Sequence, residues 1–204
     1  MTTNDPTLLA ANQLSLEIVA NRLSPVDVTE AYLERIRTSD AKLHAFAEVY
    51  AEEARQAAKA AHLAIRAGHA AGPLHGIPIA LKDLIEIEGK TVTGGSQAWR
   101  QRQASRTATL ARRLLAQGMI ILGKTHTVEF AMGGWGTNSH LGTPWNPWDL
   151  ERQRTAFGQA ALSKSSDLVG GFSRSSRPYR SKFRWRRVAA PLTWNFSVIP
   201  PFQN

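Results

Sequence analysis

Lys82 is the residue whose type and position best suit chemistry, because it directly follows an apolar run at residues 77–81. Burying an ammonium ion is costly, so such a lysine must pair with an acid, reach solvent or lose its proton. A neutral amine near pH 7 can act as a general base. Two interpretations are open from the residues alone: Lys82 pairs with Asp83 or Glu86, or it serves as a base.

The segments that lead to Lys82 have the apolar spacing of helices and short strands. Two helices are predicted first, the second with Ser24 as its N-cap and Pro25 at its first position, running to about Thr38. A strand is predicted at residues 45–50, followed by an alanine-rich helix at 51–67.

The segments that contain and follow Lys82 favour an α/β fold. Residues 77–81 predict a buried strand, and residues 93–96 a glycine loop. A helix at 108–117 and a strand at 119–122 follow, separated by Gly118. A helix, a glycine and an apolar strand in this order form a unit of an α/β fold.

Four ordered segments resemble the amidase signature family of hydrolases. They are residues 72–83 (GPLHGIPIALKD), 91–96 (TVTGGS), 123–134 (GKTHTVEFAMGG) and 142–149 (GTPWNPWD). The resemblance covers roughly residues 9–154 and is more specific than any one segment. It implies the N-terminal portion of an amidase-signature fold, an incomplete mixed sheet flanked by helices.

The resemblance also implies a catalytic chemistry. In this family a lysine, a bridging serine and a nucleophilic serine together hydrolyse carboxylic amide C–N bonds. A serine is a weak nucleophile until a base takes its proton, and a glycine-rich loop can leave N–H groups free for the oxyanion. By resemblance Lys82 is that base, and Met132, Gly133 and Gly134 lie in the loop that lines the acyl pocket. A plain glycine-rich turn is the alternative for that loop. The resemblance implies a small-molecule amide as substrate, and no cofactor or metal.

The resemblance stops near Arg154, before either serine of the family pattern. A Gly-Gly-Ser-Ser-Gly-Gly-Ser-Ala-like run should follow, but residues 156–166 are AFGQAALSKSS. The serines of the tail do not stand in the required glycine context, so none is assigned a role. We therefore divide the chain into residues 1–154, part of an amidase domain, and residues 155–204, a basic tail of low regularity. We expect this chain to be truncated before both serines and inactive.

Charge marks the same division. Residues 1–150 carry 15 basic and 14 acidic side chains, whereas residues 151–204 carry 10 and 2. Genetic-code degeneracy allows residues 168–173, read one frame over, to become Ser-Ser-Gly-Gly-Ser-Ala. We interpret the tail as the product of a shifted reading frame.

A second class of function is a basic nucleic-acid-binding module. Residues 174–187 mix basic side chains with Tyr179, Phe183 and Trp185, which could bind phosphates and stack on bases. No nucleic-acid-binding fold is legible, however, and basic runs are often simply solvated. We therefore expect no nucleic-acid partner.

A third possibility is a subunit of a tRNA-dependent amidotransferase, whose amidase subunit belongs to the same family. Residues 134–138 resemble the free-standing amidases more closely.

Composition excludes several other classes of protein. The chain has no cysteine, so a disulfide scaffold, a cysteine nucleophile and a thiolate zinc site are excluded. Its longest apolar runs are far shorter than the roughly 18–20 residues of a membrane span. Because the N-terminus lacks a basic lead and an apolar stretch, we expect a cytoplasmic protein without a membrane partner. The oligomeric state is left open.

Overall fold

Helices and strands alternate in the part of the chain that the computed structural model describes, residues 5–133, 136–147 and 149–153. The helices are α1 (Ala11–Val19), α2 (Pro25–Leu43), α3 (Ala51–Arg66) and α4 (Thr109–Ala116), and the strands are β1 (Phe46–Val49), β2 (Pro78–Lys82), β3 (Ile120–Thr125), β4 (Trp145–Asn146) and β5 (Asp149–Gln153). This alternation confirms the predicted α/β class. No helix among the described residues has the length and apolarity needed to cross a membrane.

Helix α2 begins as its sequence predicts and ends later. The Ser24 side chain accepts a hydrogen bond from the Asp27 N–H at 3.0 Å, and Pro25 occupies the first helical position. The helix continues past the predicted end near Thr38, because the polar residues there contain no helix breaker. It stops at His44, which takes a left-handed conformation with φ of 47°.

The main sheet is mixed, with the strand order β1–β3–β2. β3 pairs antiparallel with β1 and parallel with β2, in a register that places Leu81 opposite Lys124 and Lys82 opposite Thr125. β3 extends through Thr125, beyond the end predicted from its apolar run. It does so through Gly123, where a Cβ atom would lie 2.2 Å from the Glu48 carbonyl oxygen of β1.

Apolar clusters cover both faces of this sheet. Side chains of α1, the start of α2 and α4 pack on β2 around Leu14, Ile18 and Ile79. The small alanines of α3 pack with Leu122 of β3 in a second cluster. Burial on both faces explains why β2 is a continuous apolar run that ends at its first charged residue, Lys82.

Candidate active site

Backbone hydrogen bonds fix the end of β2 at Lys82. The Lys82 carbonyl oxygen accepts from the N–H groups of Leu84 at 2.8 Å and Ile85 at 2.9 Å, which turns the chain sharply. The Asp83 N–H donates to the Thr125 carbonyl oxygen of β3 at 3.0 Å. The Lys82 side chain is half-buried, and this burial lowers its pKa because it disfavours the ammonium form. The structure thus confirms the predicted position of Lys82 at the end of a buried strand.

Both acids that the sequence offered as partners of Lys82 bind other cations. The Asp83 carboxylate lies 3.7 Å from the Nζ atom of Lys124. Glu86 pairs with Arg102 at 2.6 Å and with Arg106 at 3.3 Å. Among the described residues no acid forms an ion pair with Lys82. The structure therefore does not support the pairing interpretation, and Lys82 presents an amine without a counter-charge there.

The glycine loop at residues 93–96 is held by Asp83. The Asp83 carboxylate accepts from the Thr93 N–H at 3.2 and 3.3 Å and from the Thr93 hydroxyl, and its carbonyl oxygen accepts from the Gly94 N–H at 2.9 Å. The Gly95 N–H donates to the Thr93 hydroxyl at 2.9 Å, and the Ser96 N–H to the Thr93 carbonyl oxygen at 3.0 Å. Because all four N–H groups of residues 93–96 already have acceptors, this loop does not offer them to an oxyanion.

Asn138 joins the glycine loop to the chain that follows β3. Its Nδ2 atom donates to the Gly95 carbonyl oxygen at 2.6 Å and to the Thr127 carbonyl oxygen at 3.1 Å. Its Oδ1 atom accepts from the N–H groups of His140 at 3.0 Å and Leu141 at 2.9 Å. The buried amide therefore fixes two loops against each other.

The loop that contains Met132 and Gly133 lies beside the glycine loop. The Phe130 N–H donates to the Gly94 carbonyl oxygen at 2.6 Å, and the Phe130 ring packs edge-on against Trp99 with centroids 4.9 Å apart. Met132 is 81% exposed, and Gly133 is exposed as well. Gly134 lies outside the described residues. A role of these residues in an acyl pocket stays a prediction.

A cavity of about 220 Å³ opens on the Asp83 side of the strand end. Asp83, Thr93 and His126 contribute to its lining. Burial lowers the pKa of His126, and its Nδ1 atom has no hydrogen-bond partner among the described residues. His126 is therefore neutral near pH 7. No cluster of possible metal ligands occurs in the described residues.

Two site residues were missed from the sequence, Lys124 and Asn138. Lys124 is fully buried, although it is a charged residue directly after a glycine. It lies near the end of β3, but Gly123 separates it from the apolar run at residues 119–122, so the signal that indicated Lys82 is interrupted here. For Asn138 no comparable local signal exists, because both of its Nδ2 acceptors are distant in the chain.

Comparison with known proteins tests the family resemblance. A family model described as Amidase matches residues 27–156. The chain belongs to the amidase family. The predicted family is therefore confirmed.

Named relatives and solved structures agree with this assignment. A glutamyl-tRNA(Gln) amidotransferase subunit from Thermobifida fusca is 40% identical over 144 residues, which cover 71% of this chain and 29% of that protein. The corresponding Streptomyces avermitilis protein is 42% identical, with the same coverage. A peptide amidase from Stenotrophomonas maltophilia has 28% identity and a TM-score of 0.69 over 78% of this chain and 34% of its own. The mixed sheet thus matches amidase structures, and the chain spans less than a third of the length of these curated relatives.

Proposed function

We propose that residues 1–154 are the N-terminal part of an amidase-family hydrolase that cleaves carboxylic amide C–N bonds, with Lys82 as its general base. The observation that carries this role is the half-buried Lys82 side chain, which has no acid partner among the described residues. A lowered pKa increases the fraction of neutral amine that can accept a proton near pH 7.

The proposed step uses the family's two serines in addition to Lys82. The nucleophilic serine loses its proton through the bridging serine to the Lys82 amine, and its oxygen bonds to the amide carbonyl carbon. The proton then passes to the departing nitrogen as the C–N bond breaks, and water releases the acyl group. Lys82 cannot perform this transfer without a serine nucleophile, so we propose that the 204-residue polypeptide has no amidase activity.

We further propose that residues 155–204 are translated in a shifted reading frame. The excess of basic residues in the tail and the permitted Ser-Ser-Gly-Gly-Ser-Ala reading of residues 168–173 support this proposal. Sequencing the DNA across codons 150–204 and several hundred bases beyond is the test. A one-base correction that restores a Gly/Ser-rich segment and a long open frame is expected, and a clean frame that stops after Asn204 contradicts the proposal.

The role of Lys82 is tested in the frame-corrected, longer protein. Lys82→Ala is expected to reduce ammonia release from primary amides by about 10³-fold or more in kcat/KM, because it removes the base. Lys90→Ala, at a lysine paired with Glu53, is the matched control and should retain activity. Activity of Lys82→Ala within about tenfold of the unsubstituted protein would show that another group is the base.

The same role can be tested in the 204-residue chain without catalysis. Acylation of each lysine by a limiting amount of acetic anhydride, followed across pH by peptide mass spectrometry, yields a midpoint for each amine. Accessibility scales the rate of each lysine but leaves its midpoint unchanged. Lys82 should show a midpoint below the ordinary lysine value of about 10.4, whereas an ordinary midpoint argues against a general base.

A tRNA-dependent amidotransferase is the second candidate, because curated relatives at 40–42% identity are named as subunits of such enzymes. A protein of that kind would require partner chains, whereas a free-standing amidase would release ammonia alone. Purification of the frame-corrected protein from its own cells distinguishes the two. Residues 174–187 lie outside the described residues, and no specific observation favours a nucleic-acid-binding function for them.

A further inference from the structure

We propose that Lys124 is a positioning residue whose buried ammonium group holds Asp83 and the glycine loop, and thereby fixes the strand end that carries Lys82. This inference rests on the proposed role of Lys82 as the general base. It concerns a residue that would not touch the substrate.

The contacts of Lys124 converge on one short stretch of chain. Its Nζ atom donates to the carbonyl oxygen of Ile85 at 2.7 Å and to that of Thr91 at 3.5 Å, and it lies 3.7 Å from the Asp83 carboxylate. The side chain of Lys124 is only 1% exposed. Asp83 lies in the turn that follows Lys82, Ile85 at the end of that turn, and Thr91 further along the chain, so one cation binds both ends of residues 83–91.

Asp83 transmits the effect of this cation to the glycine loop. Its buried carboxylate accepts two hydrogen bonds from Thr93, and its carbonyl oxygen accepts one from Gly94. A buried carboxylate is costly without a counter-charge. An uncharged side chain at position 124 would leave Asp83 with that cost, and the loop would have to open until water reaches the carboxylate.

Lys124 itself is unsuited to be the base. Leu81 pairs with Lys124 and Lys82 pairs with Thr125, so the alternation of side chains places the two lysines on opposite faces of the sheet. Lys124 lies on the face of Leu81, where its amine is enclosed by acceptors. It can influence proton transfer only through Asp83 and the backbone on either side of Lys82.

The test compares Lys124→Met with Lys90→Met in the 204-residue chain. The lysines are reductively methylated with ¹³C-formaldehyde, and the Lys82 signal, assigned by its absence in Lys82→Arg, is titrated by NMR. When the glycine loop opens, water reaches the Lys82 side chain. An Asp83 carboxylate without a counter-charge also favours the protonated form of Lys82. Both effects raise the Lys82 midpoint, by about half a pH unit or more in Lys124→Met, while Lys90→Met leaves it unchanged.

The outcomes separate this inference from the proposed function. An unchanged Lys82 midpoint in folded Lys124→Met overturns the inference, since the role of Lys124 would then be stability alone. An ordinary lysine midpoint for Lys82 in the unsubstituted chain instead contradicts its role as a base. The change of the Lys82 midpoint between variants therefore tests the role of Lys124. The value of that midpoint in the unsubstituted chain tests the role of Lys82.

A second variant keeps the inference testable if Lys124→Met does not fold. Asp83→Asn combined with Lys124→Met removes both charges and leaves no bare carboxylate in the interior. We expect the Gly94 and Gly95 amides to exchange with solvent about tenfold faster in this double variant than in Lys90→Met, while the amides of α2 keep their rates. Unchanged exchange at both glycines would overturn the inference.

Discussion

Lys82 and Lys124 lie on neighbouring parallel strands, one register position apart, but they differ in burial and in their polar contacts. Lys124 is completely buried, with two carbonyl oxygens and one carboxylate around its Nζ atom. Lys82 is half-buried, and among the described residues its ammonium group has no acid partner. The two lysines therefore differ in their surroundings: acceptors enclose the Lys124 amine, whereas the Lys82 amine lacks an acid partner among the described residues.

The pKa values of the two lysines are both lowered, but the groups that act on them differ. Burial lowers the pKa of Lys124, and the carboxylates of Asp83 and Glu48 oppose that effect. Burial lowers the pKa of Lys82 as well, but no opposing charge contributes there. A buried lysine with acceptors organises its surroundings, whereas a desolvated lysine without them is suited to proton transfer.

The largest expected effect is on the stability of Lys124→Met. Removing one partner of a buried ion pair leaves the other uncompensated, so the free energy of unfolding should fall by about 3–5 kcal/mol. Urea unfolding followed by circular dichroism measures it. Lys90→Met, which removes a partly exposed ion pair with Glu53 and a cation–π contact with Tyr50, should lose only about 1–2 kcal/mol. Equal losses in both variants would show that the buried Lys124–Asp83 pair contributes no more to stability than the Lys90–Glu53 pair.

Gly95→Ala tests the glycine loop at residues 93–96, which we propose that Lys124 holds in place through Asp83. Gly95 has φ of 76°, and an added Cβ would lie 2.5 Å from the Thr127 carbonyl oxygen, a backbone atom. Strain and overpacking together should cost about 2–5 kcal/mol in thermal or urea unfolding. Gly68→Ala is the matched control, since Gly68 has φ of 78° but open space, and it should cost only about 1–2 kcal/mol.

The contrast also separates what the sequence could predict from what it could not. Lys82 was placed at a strand end because an apolar run followed by charged residues is a local signal. Lys124 was missed because Gly123 interrupts the apolar pattern, and the reason for that glycine is the close approach of Glu48 on another strand.

The hydrogen bonds that hold the glycine loop could not be predicted from the sequence for the same physical reason. Asp83 holds Thr93, and Asn138 holds Gly95, through hydrogen bonds between residues that are 10 and 43 positions apart in the chain. Hydrophobic periodicity reports which face of an element is buried, but not which polar groups meet after folding. The glycine loop was therefore predicted, whereas the engagement of its N–H groups was not.

Thr93→Val sharpens the comparison with a smaller change. It keeps the shape of the side chain but removes the hydroxyl that donates to Asp83 and accepts from Gly95. Leaving a buried carboxylate short of a donor should lower the free energy of unfolding by about 1–3 kcal/mol. Thr93→Ser retains the hydroxyl and should recover part of this loss in the same urea experiment. If the valine and serine variants lose the same free energy of unfolding, losing the methyl group costs as much as losing the hydroxyl. The hydrogen bonds of the hydroxyl would then not be the dominant contribution of Thr93.

The pH dependence of stability should separate the lysines from the tyrosines. Lysines with lowered pKa values hold fewer protons in the folded than in the unfolded chain as pH approaches about 10.4, so stability rises with pH there. Burial raises the pKa of Tyr32 to about 12, which has the opposite sign once unfolded tyrosine ionises near pH 10. Urea midpoints should therefore rise from about pH 7.5 to about pH 9.5. A slope that persists unchanged in Lys82→Met and in the Asp83→Asn, Lys124→Met double variant would assign it to other groups.

Lys82→Met should have the smallest effect on stability, and this makes it the most informative about function. Methionine fills a similar volume without the cost of desolvating an ammonium group, so the free energy of unfolding should stay within about 1 kcal/mol or increase. A loss of more than about 2 kcal/mol would mean that Lys82 supports the strand end itself, as Lys124 does, and would weaken its assignment as a base. Desolvating the Lys82 ammonium group costs free energy. If methionine replaces Lys82 without loss of stability, proton transfer rather than packing is the reason for a lysine at this position.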